Sequence, residues 1–557
     1  MDYPYLSAFR SQMDFCGKCG DCALAVELTT AKKHINKPCV IKNVLGFEAY
    51  DARGRILILK RLLDGTLQLN QEIIDWAYTC LLCGNCQETC LALDNGIDLP
   101  SMMEAFRRDL VENGKYSPSG KPFEILEKTL THHNPYGEPH DQRFHFILSE
   151  NFPPHADILL FVGCTAAYRQ QNIALSAYKI LKKANIDFTI LKDEKCCGSV
   201  LLRYGFHDKV KVLAEELMEQ IQKSGIKTVV FPCAGCYRTF KIDYPKLIEM
   251  PKDIKFIHFS EYLEKLVKEG KYHFRFDSQT RISYHDPCHL GRAAGVFEAP
   301  RFLINSINNA NLIELETRRN YSHCCGAGGG VKSCFPEISL KVGQNRIIEA
   351  AQNNINYLVS TCPFCKTNLS QSLNGQNFQV LDLTELLSQT LDESLTGTII
   401  QKESSFVTHE LTQNYITYLS QHPEIFSDLV PGSVLEFTIY DSIDAFEDEK
   451  PPTGAFHVVR LENEIEIHPG LADNSDLQLA LSEGAVRELV LSKTKKEYSL
   501  KFGAFYNDPE EEYWIDFLLH KRTKTLLKMG YGKFAEEAGI LDEDEDLDSL
   551  DDRVKII

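Results

Sequence analysis

Nineteen cysteines stand in this chain of 557 residues, and their spacing is the strongest chemical signal it carries. Cys16, Cys19 and Cys22 follow one another at two-residue intervals, with Cys39 beyond them; Cys80, Cys83, Cys86 and Cys90 run C-x2-C-x2-C-x3-C. Three thiolates at that interval wrap the chain around one cube of iron and sulfide, and in two-cluster ferredoxins the fourth ligand commonly comes from the other group. The expected ligand sets are Cys16, Cys19, Cys22 and Cys90 for one 4Fe–4S cubane, and Cys80, Cys83, Cys86 and Cys39 for a second. Zinc usually takes two C-x2-C pairs set well apart, which fits tandem triplets poorly. Two departures from the ferredoxin pattern are present: Leu91 rather than proline follows Cys90, and 16 residues separate Cys22 from Cys39.

All but one of the remaining cysteines form an internal repeat. Cys164 is followed after 31 residues by Cys196 and Cys197, then after 35 by Cys233-x2-Cys236. Cys288, the pair Cys324 and Cys325, and Cys362-x2-Cys365 repeat the plan at intervals of 35 and 36 residues. Adjacent cysteines diverge, which suits a multi-iron cluster better than one tetrahedral ion. Gly198 and Gly326 follow the two pairs and are read as cofactor-binding positions. His285, His289 and Arg292 flank Cys288. They could orient an anionic substrate or donate protons, or they could hydrogen-bond cluster sulfurs and neighbouring carbonyls and tune the potential. Gly326 to Gly330 holds G-x-G without a dinucleotide fingerprint, so close approach of the backbone to a cluster is expected there. Lys195 and Lys332 are further candidates for binding substrate anions. Cys334 is left over, with a buried apolar role expected. There is no C-x-x-C-H for c-type haem and no flavin or nicotinamide motif, so electrons must arrive from another protein or a diffusible carrier.

These residues need elements to hold them. Residues 1–150 read as mainly helical, with apolar residues at helical spacing from Ile73 to Leu82 and a helix over Ser101–Glu112 after Pro100. Asn134-Pro135, Gly137, Pro139 and Pro153-Pro154 read as a turn-rich linker. In residues 151–275, strands over 157–162, 188–191 and 228–231 alternate with helical stretches such as Asn172–Ala184; residues 276–398 repeat this with strands at 281–284 and 357–360. The fold class is therefore α/β, two pseudo-symmetric units with largely parallel sheets, behind a helical ferredoxin-like domain. The cysteines fall just after the carboxyl ends of strands, where such sheets place ligands.

Residues 399–557 read as a separate α+β domain of unassigned role. Strands are expected at 434–440, in part of 457–468, at 486–491 and at 498–502, with helices from 510 to 529 and a solvated acidic end at 542–552. Residues 401–557 carry 33 Asp+Glu against 15 Lys+Arg and so hold the whole formal charge of −18. No region has the basic surplus that nucleic acid requires. No apolar run is long enough to span a bilayer and no signal peptide is apparent at the start. The expectation is a cytoplasmic protein with no span of its own, peripheral at most on the cytoplasmic face of a membrane complex. Thiols in that compartment stay reduced, which favours metal binding over disulfides.

The repeated five-cysteine motif resembles the CCG domain of heterodisulfide reductases, above all their catalytic B subunit. The pieces that carry it are His285-Asp286-Pro287-Cys288-His289-Leu290-Gly291-Arg292, Cys324-Cys325-Gly326-Ala327-Gly328-Gly329-Gly330 and Cys362-Pro363-Phe364-Cys365. Residues 14–99 look like the two-cluster C subunit, and the C-then-B order is similar to the fused D subunit found with membrane cytochrome partners; residues 399–557 lie outside the pattern. The resemblance implies that each CCG motif holds a non-cubane 4Fe–4S cluster through its five cysteines. It also implies that a small-molecule disulfide is split between the two clusters, or thiols are oxidised, each sulfur being captured by an iron. The electron donor would be a flavoprotein, a membrane cytochrome b protein or a diffusible carrier. Two other functions compete: the electron-transfer subunit of a flavin-linked oxidase or dehydrogenase for 2-hydroxy acids or glycerol 3-phosphate, and a scaffold protein with structural zinc.

Overall fold

The computed structural model describes residues 2–23, 25–26, 35–90, 92, 96–113, 116–147, 152–153, 156–391, 410–447, 452–462, 464–469, 472, 475–510, 512–519, 526, 529–537 and 555–556. Residues 1–25 with 36–399 form one compact unit, and 400–557 with 26–35 form another. Among the described residues no helix is long and apolar enough to cross a membrane.

The first unit opens with helices whose apolar residues recur at three and four positions. In helix Ala52–Leu63, Ile56, Leu59 and Leu62 share one buried face, and the Asp51 carboxylate caps the start by accepting from Gly54 N at 2.8 Å. Asn70 caps Gln71–Tyr78 in the same way, accepting from Ile73 N at 2.9 Å. Helix Leu99–Asn113 buries Met102, Met103, Phe106 and Leu110.

The cysteine repeat then folds as two sheets of four strands. The first holds β1 (Ile158–Leu160), β2 (Phe188–Thr189), β3 (Thr228–Phe231) and β4 (Lys255–His258), and the second β5 (Phe274–Tyr284), β6 (Ile307–Leu312), β7 (Tyr357–Ser360) and β8 (Gln379–Asp382). Every pairing is parallel, in the orders β2-β1-β3-β4 and β6-β5-β7-β8. The α/β architecture with parallel sheets is thus as expected, and the two copies share one topology. In each, the chain leaves the first strand for one side and returns to the other, so a crevice opens at the carboxyl ends of the first and third strands.

One position shows how the copies diverge within this common plan. His258 ends β4 and caps helix Phe259–Lys268; Asp382 ends β8 and caps helix Leu383–Thr390; each forms a reciprocal capping box with a glutamate, Glu261 or Glu385. Burial and then the neighbouring Glu385 push the Asp382 carboxyl up to about 7. The folded protein therefore keeps this proton to about pH 7 while the unfolded chain gives it up near pH 4, so stability falls as pH rises between those values. Asp382→Asn keeps the cap and removes the titration. It is expected to gain about 2 kcal/mol relative to the parent between pH 5.5 and pH 8, read from anaerobic urea midpoints at both; an unchanged difference would show that the carboxylate is solvated.

The second unit is a mixed sheet of β9 (Val434–Tyr440), β10 (Gly454–Arg460), β11 (Ile465–Pro469), β12 (Leu477–Ser482), β13 (Ile515–Leu519) and β14 (Lys555–Ile556), ordered β11-β10-β9-β12-β13-β14. Phe437 and Phe456 stack at 4.8 Å across β9 and β10 in its core. Three expectations are corrected here. Residues 486–491 and 498–502 are not strands but lie largely in helices Glu483–Leu489 and Lys495–Asn507, and the stretch from Glu510 to Met529 contains the strand β13. Ser482 and Thr494 cap those helices, accepting from Ala485 N and Glu497 N, and the buried Val486 and Leu489, and Tyr498 and Phe502, sit three and four apart. The acidic end, 542–552, lies outside the described residues.

Candidate metal centre

Each copy delivers its five cysteines by the same local devices. Cys164 follows β1 through Gly163, whose φ of 78° no larger residue would take easily and whose added Cβ would sit 2.9 Å from Cys236 Sγ. Cys233 and Cys362 cap short helices just beyond β3 and β7, so that Cys236 and Cys365 fall one turn on. Gly198 and Gly326 take left-handed turns, φ 74° and 94°, immediately after the cysteine pairs, where the chain continues into its next segment. A Cβ added at either position would meet Val210 or the Ser339 carbonyl rather than the cavity, and the Gly198 amide donates to Cys196 Sγ at 3.4 Å.

All ten cysteines of the repeat line a single cavity of about 620 Å³. Cys197 and Cys236 sulfurs lie 3.4 Å apart, and those of Cys325 and Cys365 3.2 Å. Cys233 meets Cys362 across the boundary between the copies. The thiols cannot all ionise together. Hydrogen bonds from Cys324 and Cys365 hold Cys325 well below the ordinary thiol value, while its bonds to Cys288, Cys325 and Cys83, with burial, push Cys324 well above it. Five crowded sulfurs of this kind call for a strongly positive partner that takes them all as thiolates, which is the chemistry of an iron–sulfur cluster.

The two N-terminal groups gather separately. Cys16, Cys19, Cys22 and Cys90 surround one small pocket with Ala52 and Ile56; Cys39, Cys80, Cys83 and Cys86 surround a second with Val40, Leu82 and Leu99. Cys86 borders both. Cys83 in turn contacts Cys324, so sulfurs run without a wide gap from the first pocket to the cavity.

Of the three non-cysteine candidates, His289 lines the cavity, and burial followed by the charges of Arg238 and Arg203 holds its imidazole well below the ordinary value. His285 lies behind it. Arg346 Nε donates to its Nδ1 at 3.1 Å, which leaves the proton on Nε2, a buried nitrogen without a protein partner at full hydrogen-bond geometry. A ring nitrogen of His285 and the sulfurs of Cys325 and Cys365 lie within 4.8 Å of one another, so this orphaned donor fits a cluster sulfur. Arg292 is committed to carbonyls: Cys83 O at 2.8 Å, Asn320 O at 2.9 Å and Ser322 O at 2.6 Å. The glycine run approaches protein backbone rather than a cluster alone: a Cβ at Gly329 would lie 2.3 Å from Cys80 O, and one at Gly330 2.3 Å from the Tyr204 ring. Lys332 lines the cavity and donates to Asn368 Oδ1 and Gln371 Oε1, whereas Lys195 pairs with Glu216 outside it. Cys334 is half-buried beside Tyr204 and Ser333, with burial raising its thiol to about 11.

The stretch read as a linker supplies residues that spacing did not disclose. Asn134 is fully buried and its Oδ1 accepts from Tyr136 N and Glu138 N. The His133 carbonyl accepts from Cys196 N at 3.0 Å, and Tyr136 lines the cavity with its hydroxyl 2.8 Å from Thr165 Oγ1. Arg143 points both terminal nitrogens at Cys164 Sγ, 3.6 and 3.8 Å away. Nothing but three-dimensional proximity joins them to the cysteines; the sole hint in the sequence is a polar, aromatic composition unusual for a tether.

Comparison with known proteins agrees with this geometry. The family described as the cysteine-rich domain, CCG, matches twice, over residues 158–241 and 282–370. The D subunit of the dihydromethanophenazine:CoB–CoM heterodisulfide reductase of Methanosarcina barkeri is 34% identical over 393 residues, 68% of this chain and 94% of that one. The B subunit of the fumarate reductase (CoM/CoB) of Methanothermobacter marburgensis is 29% identical, covering 57% of this chain and 62% of its own. The EtfAB:quinone oxidoreductase of Syntrophomonas wolfei is 25% identical, covering 68% and 58%. With two cysteine-rich domains and a relative matched over nearly its whole length, the chain belongs to the iron–sulfur oxidoreductase family of the heterodisulfide reductase D subunits.

Proposed function

We propose that the chain reduces a small-molecule disulfide, or oxidises the corresponding thiols, in the cavity between its two cysteine-rich copies. The observation that carries this reading is the convergence of both five-cysteine sets on one cavity, with Cys233 against Cys362. Cys164, Cys196, Cys197, Cys233 and Cys236 would hold one non-cubane 4Fe–4S cluster, and Cys288, Cys324, Cys325, Cys362 and Cys365 the other. Cys16, Cys19, Cys22 and Cys90, and Cys39, Cys80, Cys83 and Cys86, would hold two cubanes. When bound, the clusters supply single electrons and iron sites for sulfur. Reduction of RS–SR′ consumes two electrons and two protons and yields RSH and R′SH. The electrons come from a flavoprotein, a membrane cytochrome b protein or a diffusible carrier. His289 and the Tyr136 hydroxyl are proton-carrying groups that border the cavity beside the cysteines. Lys332, held by neutral amides, offers its charge to an anionic substituent of the substrate.

The similarity to an EtfAB:quinone oxidoreductase supports a second reading, an electron-relay protein whose substrate chemistry lies in a partner. Electron paramagnetic resonance separates the two. Protein prepared anaerobically is oxidised stepwise with and without a panel of neutral, carboxylated, sulfonated and phosphorylated thiols. A new paramagnetic signal that requires a thiol supports the disulfide reading. Signals of reduced cubanes alone, unresponsive to every thiol, would favour the relay.

A further inference from the structure

We propose that Arg143, which lies outside both cysteine-rich domains, raises the reduction potential of the centre held by the first copy and so makes the two copies unequal. This rests on the reading that Cys164 and its four companions hold a cluster. Arg143 is one of the most deeply buried side chains of the protein, 1% exposed, and both of its terminal nitrogens are directed at Cys164 Sγ. It cannot swing away. Glu194, itself fully buried, pairs with Nη2, and its two carboxylate oxygens also accept from Val162 N at 2.8 Å and Gly163 N at 2.9 Å, the residues that lead into Cys164. The rings of Phe144 and Tyr168 pack on the guanidinium at 5.6 and 5.7 Å. A guanidinium that donates N–H bonds to a thiolate in a water-excluded site stabilises the electron-rich, reduced form, since electrostatic interactions there are only weakly screened.

Among the described residues, the second copy has no matching group committed to Cys288. Asp286, two residues before Cys288 as Val162 is two before Cys164, is bonded to Arg301 at 2.8 and 2.9 Å, and Arg301 reaches Glu314 and the Phe297 carbonyl but no sulfur. Arg292 lies near Cys83, Cys288 and Cys324, but its Nε and Nη1 bond to carbonyls, its buried Nη2 is bonded to no sulfur, and its charge is shared with the neighbouring Cys83 group. The donor facing the second copy's sulfurs is His285, whose Nδ1 already accepts from Arg346 and which therefore presents an imidazole N–H rather than a guanidinium. Electrons that reach the second copy through the Cys83–Cys324 contact would thus find the better acceptor across the cavity, at the first copy.

Potentiometric titration of the reconstituted full-length protein, followed by paramagnetic resonance with iron quantified in each sample, tests this. Arg143→Met with Glu194→Gln removes both charges together and avoids stranding the carboxylate; it is expected to lower the midpoint of one cluster transition and leave the others in place. Glu194→Gln alone frees the guanidinium from its counter-charge and should raise that same midpoint. Arg143→Lys keeps the charge with poorer donor geometry and should fall between the parent and the double variant. A purely structural role would not produce shifts of opposite sign. Full iron with all midpoints unmoved, or a shift spread over every transition, would overturn the inference. A parent protein whose first copy binds no iron would overturn the cluster reading and this inference together. Full iron without any thiol response would remove the disulfide reading while leaving the Arg143 shifts to be judged on their own.

Discussion

Replacing Arg107 by methionine is expected to destabilise the first unit by about 5 kcal/mol, far beyond the usual cost of a point substitution. Arg107 is fully buried, and its N–H groups reach four carbonyls on three separate stretches: Ala77 at 3.1 and 2.8 Å and Cys80 at 2.7 Å, Arg203 at 2.7 Å, and Gly329 at 2.7 Å. One side chain therefore ties the end of helix Gln71–Tyr78, the start of the second cysteine group, the first copy and the glycine run of the second copy. Charge-assisted bonds contribute about 1.5–3 kcal/mol each, and the carbonyls left behind would be buried without donors. The absence of side chains at Gly329 and Gly330 is what lets these segments close on one another. Arg107→Lys, with three donors on a point charge, should recover less than half of the loss. The measurement is the anaerobic urea midpoint, with iron retention alongside. A cost under about 1 kcal/mol would mean that water takes over the carbonyls and that the clamp is not what holds the cysteine groups in line.

What could be read from the sequence followed from periodicity. The repeat of Cys164 to Cys236 in Cys288 to Cys365 marks strand ends at equal intervals, and those intervals match one parallel topology used twice. The cysteine triplets likewise announce their grouping. Where two periods compete, composition misleads. Val486 and Val490 are β-prone residue types, and so are Tyr498 and Phe502, yet each pair sits four residues apart and the caps, Ser482 and Thr494, lie just upstream. In β13 the buried Ile515 and Phe517 alternate with Asp516, a period of two that the surrounding charges hid. Arg107 acts on backbone, Arg143 on Cys164 and Tyr136 on the Thr165 hydroxyl, each tens to hundreds of residues away along the chain. No local pattern encodes such contacts, and a buried arginine looks in sequence like a surface one. For Arg292 a sequence reading leaves both substrate and carbonyl partners open, and geometry answers with three carbonyls.

Substituting alanine for Cys233, and separately for Cys362, should abolish disulfide turnover while leaving the N-terminal cysteine groups intact. The two sulfurs belong to different copies and meet within the cavity that both cysteine sets line. If each copy holds a cluster of its own, each variant should bind about four irons fewer per chain, and the reduced-cubane signals should persist. The thiol-dependent signal decides more than the iron count does. If both halves of a disulfide must be captured, losing either copy removes turnover completely, and the two variants together are no worse than one, the non-additivity of groups that act as a unit. If instead the second copy only passes electrons to the first, Cys362→Ala should slow reduction of the first copy without removing its response to thiols. Cys334→Ala is the internal control. Cys334 sits beside Tyr204 and Ser333 outside both cysteine sets, with burial raising its thiol, so its loss should change neither iron content nor turnover. Turnover that survives in Cys233→Ala would place the chemistry outside this cavity and turn the chain into a conduit for a partner's reaction.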